Sequence, residues 1–412
     1  MSGLAQLPGF LQRQRWYAGK ARRLRSADFE DAGALGYTLL ALVRTRYSDG
    51  RAERYFVPLS YPSRELSDAG TSPAFGGALL AFLRSGGSLK TRFGSIRAFK
   101  LRELRHLPCE PLQREQSNTS FVYGGKLILK LFRRPSFEPN PELELGRWLT
   151  ERKFAGTPAL AGWLEYRRGS QTMTLGVLQE LVRGGWDFCC LSRKLLKSRS
   201  KEYPKLAARL GRETADLHRA LSGLGSRTLG RLDLLAMRRS MRAMARKALA
   251  LHPAKKVVSR EREILACFDA LLSLKDAGKA IRCHGDLHLG QVLHTKERFY
   301  FIDFEGEPMR SPAERSMRRT PLYDVAGMLR SFDYAASAMK RSPKAAQDAY
   351  LDAYLSRMKG TGLLPKDPRP LLKTLMMEKA LYELDYELNN RPSWANIPAE
   401  GILRVLDSSS RL

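Results

Sequence analysis

The stretch IRCHGDLHLGQVLHTKERFYFIDFEGEP, residues 281–308, places acidic side chains on both sides of short apolar, strand-like runs. Asp286 precedes the first run, and Asp303 directly follows the run from Phe299 to Ile302. A buried carboxylate costs free energy unless it is paired or binds a cation. We therefore interpret the two aspartates as parts of one functional site that the strands hold together. Turn capping by the aspartates, with the histidines filling core space, is the structural alternative.

Composition restricts the class of protein. The 412 residues include 71 Lys and Arg against 42 Asp and Glu, a formal net charge of +29, and such a balance attracts polyanions. The basic residues are densest in 237–256, where apolar residues recur at helical spacing, so we expect a solvated helix face there. No nucleic-acid-binding motif accompanies the charge. A non-catalytic nucleotide- or nucleic-acid-binding module remains the alternative from another class, and we expect no nucleic-acid partner.

Cysteine usage and hydropathy indicate the compartment. The five cysteines are scattered and form no CxxC pair, which argues against a disulfide framework and against a cysteine zinc site. No run approaches 18 apolar residues, and the N-terminus lacks the apolar core of a signal peptide. The sequence therefore predicts a cytoplasmic protein with no membrane partner.

The order of predicted elements divides the chain into three parts. Residues 1–88 contain a hairpin that turns at Asp49-Gly50 and a short helix, 89–183 are rich in strands, and 184–412 are mostly helical. We assign these parts as an N-terminal α/β cap subdomain, a strand-rich lobe and a helical lobe with the catalytic loop. This order predicts an α+β, bilobal, protein-kinase-like fold.

The segment HGDLHLGQ resembles the catalytic loop of protein kinases, H-R-D-x-x-x-x-N. Asp286 stands in the place of the catalytic base, because a carboxylate can accept the proton of an attacking alcohol. Gln291 keeps the interval of the kinase metal-binding Asn, and Asp303 occupies the place of the Asp in D-F-G. Carboxylate and amide oxygens are ligands that Mg²⁺ prefers. The pattern therefore predicts a Mg²⁺ site at Gln291 and Asp303.

Nucleotide-binding elements precede this loop in the order that kinases show. Lys130, in the middle of a predicted strand, corresponds to the lysine that binds the α- and β-phosphates of ATP and pairs with a helix glutamate. Glu142 and Glu144 are the two candidates for that glutamate, and we favour Glu144. No glycine-rich loop is present, so the predicted phosphate cradle is the polar run before the strand, Ser117, Asn118 and Thr119. Glu180 to Val182 occupy the position of the linker whose backbone binds adenine.

Seven segments together resemble bacterial maltokinases, a family related to aminoglycoside phosphotransferases. They are QRWYAGKAR, EQSNTSFVYGGKLILKLFRR, NPELELGRWLTE, HGDLHLGQVL, IDFEGEP, DVAGMLRSFDYAA and YELNNRPSWANIP, in order from residue 14 to 398. The resemblance implies an aminoglycoside phosphotransferase-like fold with a cap, Asp286 as the base, and Gln291 and Asp303 as Mg²⁺ ligands. It also implies that ATP and maltose give ADP and maltose 1-phosphate, which feeds α-glucan synthesis linked to trehalose, and a functional association with trehalose synthase.

The acceptor sugar is expected to meet a long helix near the C-terminus. Glu378, Tyr382 and Tyr386 follow one another at i, i+4 and i+8 and so share a helix face. Together with His288, Arg391 and Trp394 they are our candidate acceptor site, although either tyrosine could equally be a core residue. Glucosamine or another small sugar is the alternative acceptor. An amino sugar calls for an additional carboxylate, for which Glu383 or Glu387 is suitable.

Overall fold

The computed structural model describes residues 2–60, 65–112, 117–251 and 254–407. The chain forms two compact units, one of Met1–Arg183 with Ser311–Ser316 and one of Gly184–Arg310 with Met317–Leu412. The helices are α1 Ser2–Arg13, α2 Pro73–Ser85, α3 Pro141–Glu151, α4 Phe188–Lys197, α5 Glu202–Ser222, α6 Arg231–Ala250, α7 Lys255–Val258, α8 Glu261–Asp269, α9 Pro312–Arg315, α10 Leu322–Ala338, α11 Lys344–Met358, α12 Arg369–Asn390 and α13 Asn396–Asp407. The strands are β1 Leu24–Leu35, β2 Thr38–Tyr47, β3 Ala52–Ser60, β4 Ser88–Lys90, β5 Ser95–Lys100, β6 Cys109–Leu112, β7 Thr119–Tyr123, β8 Leu127–Leu131, β9 Leu160–Arg168, β10 Gln171–Glu180, β11 Trp186–Asp187, β12 Arg227–Thr228, β13 Lys279–Ala280, β14 Val292–His294 and β15 Phe299–Phe301.

The first unit contains two antiparallel sheets. One has the order β1-β2-β3, and the other has seven strands in the order β4-β5-β9-β10-β8-β7-β6. The predicted hairpin is confirmed, since β2 pairs with β3 and Gly50 between them has a φ of +82°. Glycine reaches this left-handed conformation without the steric cost that a side chain adds. Helix α2 begins earlier than the sequence pattern indicates, because Ser72 caps it and Pro73 occupies its first turn.

The two sheets of the first unit share one hydrophobic core. Leu40 and Phe56 of the small sheet, Leu79 of α2, and Phe121 and Leu129 of the large sheet belong to the same buried cluster. Residues 1–88 and 89–183 are therefore parts of a single compact unit. The boundary between a cap subdomain and a strand-rich lobe at residue 88 stays a prediction.

The QRWYAGKAR segment has a structural role in this unit. Trp16 Nε1 donates to Asp68 at 2.7 Å, and the guanidinium of Arg133 lies 4.7 Å from the centre of the Trp16 ring. Arg133 is buried and donates to both oxygens of Asp68, to Thr119 Oγ1 and to the carbonyl of Phe56. The indole and the buried ion pair thus connect the N-terminal segment to the residues that follow β8.

The second unit is mainly helical, as predicted. Helix α5 packs against α11, and α12 packs against α10, α13 and α6. The 281–308 segment contributes β14 and β15 to the small sheet β11-β14-β15. Helix α6 buries Leu234, Met241 and Ala245 and exposes Arg239 and Arg246, so the expected solvated basic face is confirmed. Among the residues that the structure describes, no helix has the length and apolar character needed to cross a membrane.

Candidate active site

The hairpin of β14 and β15 brings Gln291 and Asp303 together. Val292 pairs with Phe301, and the amide of Ile302 donates to the carbonyl of Gln291 at 3.0 Å. Gln291 Nε2 then donates to Asp303 Oδ2 at 3.0 Å. Asp303 has a φ of +65°, a left-handed conformation that costs free energy in most residues but less in Asp and Asn. The apolar strands therefore position the two acidic loops side by side.

Asp324 of α10 fixes the backbone of the loop that carries Asp286. Its carboxylate accepts from the amides of His284 at 2.8 Å and Gly285 at 2.9 Å, and from His218 Nε2 at 3.1 Å. Burial raises the pKa of Asp324, but the hydrogen bond and charge of His218 outweigh burial, and the pKa lies below its usual value. A buried, ionised carboxylate thus orders the loop, since charge-assisted hydrogen bonds are the stronger class.

Lys379 of α12 contacts Asp286 directly. Its Nζ lies 3.4 Å from Asp286 Oδ1 and also donates to the buried Glu307, which in turn pairs with Arg310 at 2.8 Å. Burial lowers the pKa of Lys379, but the charges of Glu307 and Asp286 raise it by more than burial lowers it. The ammonium group therefore stays charged. Sequence motifs did not single out Lys379, because no pattern near the catalytic loop marks a residue on a distant helix.

His288 lies beside Asp286 and remains accessible. Its Nε2 is 4.0 Å from Asp286 Oδ2, its Nδ1 accepts from the amide of Gly290 at 3.1 Å, and 39% of the side chain is exposed. Burial and the charge of Lys379 lower the pKa of His288 more than Asp286 raises it. A neutral imidazole at this place can exchange hydrogen bonds with an acceptor hydroxyl, as we predict for His288.

The predicted acceptor residues on α12 have different environments. Glu378 is buried, and its carboxylate accepts a hydrogen bond from Arg310 at 3.2 Å, so the sugar contact of Glu378, which stays a prediction, would have to share the carboxylate with Arg310. Tyr382 is half-buried, and its ring lies 5.3 Å from Lys379 Nζ. The tyrosine therefore borders the Asp286 cluster, whereas Glu378 supports that cluster from behind through Arg310.

The remaining acceptor candidates form a second aromatic and basic cluster. Arg391 lies 5.5 Å from the ring centre of Tyr386 and 5.0 Å from that of Trp394, and the Trp394 ring stacks against Tyr334 with centroids 6.4 Å apart. Arg391 also pairs with Glu387 at 2.7 Å. Helix α12 ends at Asn390, so Arg391 and Trp394 lie beyond the helix that carries Glu378, Tyr382 and Tyr386.

Both carboxylates proposed for an amino sugar are already paired. Glu383 accepts from the buried Arg330 at 2.7 and 3.0 Å. Glu387 is bound by Arg391 and accepts from the Tyr334 hydroxyl at 3.3 Å. Neither glutamate therefore presents an uncompensated charge to a ligand.

In the first unit, Lys130 and helix α3 lie on the same face of the large sheet. Lys130 is half-buried in β8, with Val177 as its neighbour on β10. Val177 belongs to the cluster against which Leu143 of α3 packs, and cross-strand neighbours point to the same side of a sheet. Glu144 is half-buried in the first turn of α3, whereas Glu142 is buried. The arrangement places both glutamates on the helix that covers the lysine face.

The other predicted nucleotide residues are less uniform. Ser117 is exposed and Asn118 half-buried just before β7, but Thr119 is buried and its hydroxyl accepts from Arg133 at 2.8 Å. The hydroxyl of Thr119 thus supports Arg133, and its predicted phosphate contact stays a prediction. Glu180 ends β10, its side chain pairs with Arg102 at 2.8 Å, and its amide donates to the carbonyl of Ala159 at 2.9 Å, so the predicted adenine contact would have to use its carbonyl group. Val182 follows in the connecting segment and is half-buried.

The donor set fits a magnesium–nucleotide complex rather than a metal held by protein alone. In the described ranges, no group of three or more His, Cys, Asp and Glu side chains is arranged as a metal site. Gln291 and Asp303 supply two adjacent oxygen-bearing side chains. Mg²⁺ commonly takes one or two protein carboxylates and completes its shell with phosphates and water, which is what this pair allows.

Comparison with known proteins agrees with this geometry. Residues 108–363, more than half of the chain, match the phosphotransferase enzyme family, and the chain belongs to that family. Residues 10–84 match the maltokinase N-terminal cap domain. The fold is thus the protein-kinase-like fold of the aminoglycoside phosphotransferases, with an N-terminal cap, as predicted.

Individual relatives are named glucosamine kinase. One from Streptacidiphilus jiangxiensis is 28% identical over 69% of this chain and 70% of its own length, and one from Mycolicibacterium smegmatis is 25% identical over 73% and 80%. A solved glucosamine kinase structure aligns with a TM-score of 0.78 at 22% identity, covering 95% of this chain and 96% of its own. A second, in complex with glucosamine, ADP and inorganic phosphate, gives 0.75 at 22% identity, covering 92% and 94%.

Proposed function

We propose that the protein transfers the γ-phosphoryl group of Mg-ATP to maltose and releases ADP and maltose 1-phosphate. The observation that carries the proposal is the loop fixed by Asp324, which holds Asp286 and His288 4.0 Å apart beside the Gln291–Asp303 pair. This combination supplies a carboxylate for a hydroxyl proton and oxygen ligands for a nucleotide-bound cation.

Each residue has one task in the proposed transfer. Asp286 accepts the proton of the attacking sugar hydroxyl, while Lys379 holds the carboxylate by its 3.4 Å contact. Lys130 binds the α- and β-phosphates, with a glutamate of α3 holding its ammonium. Gln291 and Asp303 would hold Mg²⁺, which neutralises phosphate charge when bound. Positioning and charge stabilisation then account for most of the catalysis, as is usual for phosphoryl transfer.

Two observations support a neutral acceptor such as maltose. Residues 10–84 match a cap domain named after maltokinase. The carboxylates of Glu383 and Glu387 are neutralised by Arg330 and Arg391, so they offer little attraction to a sugar ammonium. In this proposal, the rings of Tyr386 and Trp394 would stack on the apolar side of a sugar ring, and Arg391 between them would donate hydrogen bonds to sugar hydroxyls. We expect the reaction in the cytoplasm, with its product used in α-glucan synthesis and with a functional association with trehalose synthase.

Glucosamine is the second candidate acceptor, because the named relatives are glucosamine kinases. The same transfer chemistry serves this sugar, so the two proposals differ only in the acceptor side of the site. An amino-sugar acceptor requires a carboxylate other than Glu383 and Glu387, or displacement of one of their arginines.

The test is purified full-length protein with Mg-ATP and a panel of maltose, glucose, glucosamine, trehalose and kanamycin, with ADP release as the signal. Reactions with EDTA in place of Mg²⁺ are the control. We expect turnover with maltose and a phosphorylated disaccharide by mass spectrometry. Turnover with glucosamine alone would show that glucosamine rather than maltose is the acceptor and would leave the kinase assignment in place. No turnover with any sugar would contradict both the maltose and the glucosamine proposals.

A further inference from the structure

A cavity of about 470 Å³ opens on the first unit, and Glu180 and Leu181 of the predicted adenine linker form part of its lining. It is bounded by the loop after β5, by the start of β8 and by residues 180–183. Leu127 lines it and is the cross-strand neighbour of Glu180, whereas Lys130 is three residues further along β8. Because successive strand residues alternate between the two faces, the cavity lies on the face opposite Lys130.

The cavity has an apolar floor and a basic rim. Leu104 and Leu127 are buried at its floor, and the exposed side chains of Arg102, Arg105, Lys126 and Arg183 surround its mouth. Two acids, Glu103 and Glu180, also line it. The lining therefore has an excess of positive charge, and its volume is within the usual range for small-molecule sites.

Existing contacts compensate only part of this charge. Arg102 pairs with Glu180 at 2.8 Å, and Glu103 pairs with Lys100, which is not a lining residue. Arg183 Nε donates to the carbonyl of Gly125 at 2.5 Å. Over the described ranges, neither Arg105 nor Lys126 has an ion pair, so their charges are available to a ligand.

We propose that this cavity binds a small organic phosphate. The phosphate would lie between Arg105 and Lys126, since guanidinium groups bind phosphate through paired hydrogen bonds and ammonium groups bind it as point charges. The carbon-bearing part would lie on the leucine floor. The proposed phosphate position between Arg105 and Lys126 is on the other face of the sheet from Lys130, and the cavity contains neither Asp286 nor Asp303; its lining shares Glu180 and Leu181 with the predicted adenine linker.

The test is isothermal titration of the full-length protein with three probes: glucose 1-phosphate, AMP and inorganic phosphate. The variant R105A/K126A removes the two unpaired charges, and R239A/R246A removes two exposed arginines from α6 as a control of equal charge. For AMP, all proteins also carry Lys130→Ala, which removes the predicted active-site phosphate contact. Turnover of each double variant, without Lys130→Ala, is measured in parallel.

We expect R105A/K126A to bind at least one organic probe about tenfold more weakly than wild type. This is the change in affinity expected when two exposed ion pairs to the phosphate are lost. The control should stay within about twofold of wild type, and both should keep normal turnover. The preferred organic probe identifies the class as sugar phosphate or nucleotide. The proposal would be overturned if the two double variants bound the organic probes equally well, or if wild type bound inorganic phosphate as tightly as the organic probes. It would also be overturned if no probe bound. Each of these outcomes counts whatever the turnover result.

Discussion

Lys379 connects the candidate base to a buried ion network. Its ammonium contacts Asp286 and Glu307, and Glu307 is also held by Arg310, which reaches Glu378. The proximity of Gln291 and Asp303 could be predicted because they flank the two strands of one hairpin, β14 and β15, at a recognisable spacing from Asp286. Lys379 could not, since 93 residues separate it from Asp286 and only the packing of α12 brings them together. Glu378 is on the same helix as Lys379, and its pairing with Arg310 likewise depends on the fold and could not be predicted.

Glu307→Gln should reduce stability in a pH-dependent way. Burial raises the pKa of Glu307, but Lys379 and Arg310 outweigh it and lower the pKa from 4.5 to about 2. The ionised form thus stabilises the fold fully above pH 4.5, and this contribution is lost as pH falls toward about 2. We expect the variant to lose about 3 kcal/mol of unfolding free energy at pH 7, and the difference to shrink below pH 4.5.

Urea unfolding of wild type and Glu307→Gln at pH 7, 4 and 3 measures this difference. Glu400→Gln, at an exposed glutamate of α13, is the control and should change the unfolding free energy by less than about 0.5 kcal/mol. A difference that stays constant or grows as the pH falls would contradict the buried ionised state of Glu307.

Asp303→Asn should remove Mg²⁺ dependence from ATP binding without disturbing the backbone. Asn tolerates the left-handed conformation that Asp303 adopts, with φ of +65°, so the substitution removes charge and little else. We expect the gain in ATP affinity on adding Mg²⁺ to fall about tenfold or more, while metal-free ATP binds as before. Titration calorimetry with and without Mg²⁺ measures both; an unchanged gain would exclude Asp303 as a ligand.

At the scale of elements, local signals predicted the hairpin β2–β3 and helices α3 and α12 well. Strand β1 was not predicted, because its sequence LRSADFEDAGAL is rich in acidic and small residues that disfavour strands. Its pairing with β2 over ten residue pairs provides what the local sequence lacks. The short helix predicted in residues 1–88 is α2, which begins at Pro73 because the Ser72 side chain caps it.

The two adjacent glycines of α2 should respond in opposite ways to alanine. A Cβ on Gly76 would lie 2.2 Å from Cys109 Sγ and 2.6 Å from Phe121 Cδ1, whereas a Cβ on Gly77 meets nothing within 4 Å. Gly76→Ala should cost about 1–3 kcal/mol through overpacking. Gly77→Ala should gain up to about 1 kcal/mol from helix propensity. Urea unfolding compares them, and equal effects of the same sign would contradict the packing of α2 on β6 and β7.

At the scale of the whole molecule, class was more predictable than substrate. The order of Lys130, Glu144, Asp286 and Asp303 along the chain is enough to indicate a phosphotransferase, because this chemistry needs those groups in any acceptor context. Acceptor choice depends on which carboxylates remain uncompensated. The pairing of Glu383 with Arg330, 53 residues away, bears on the proposed acceptor and is invisible in the sequence. The net charge of +29 likewise does not identify a substrate, because some of the basic residues lie on solvent-exposed helix faces such as that of α6.

The most direct measurement is the turnover of wild type and Asp286→Asn with Mg-ATP and maltose. Asp348→Asn, an exposed aspartate of α11, is the matched control. We predict that wild type and the control phosphorylate maltose, and that Asp286→Asn lowers kcat by about 10²–10⁴ with ATP affinity nearly unchanged. Turnover of Asp286→Asn at the wild-type rate would contradict Asp286 as the base and with it the central claim.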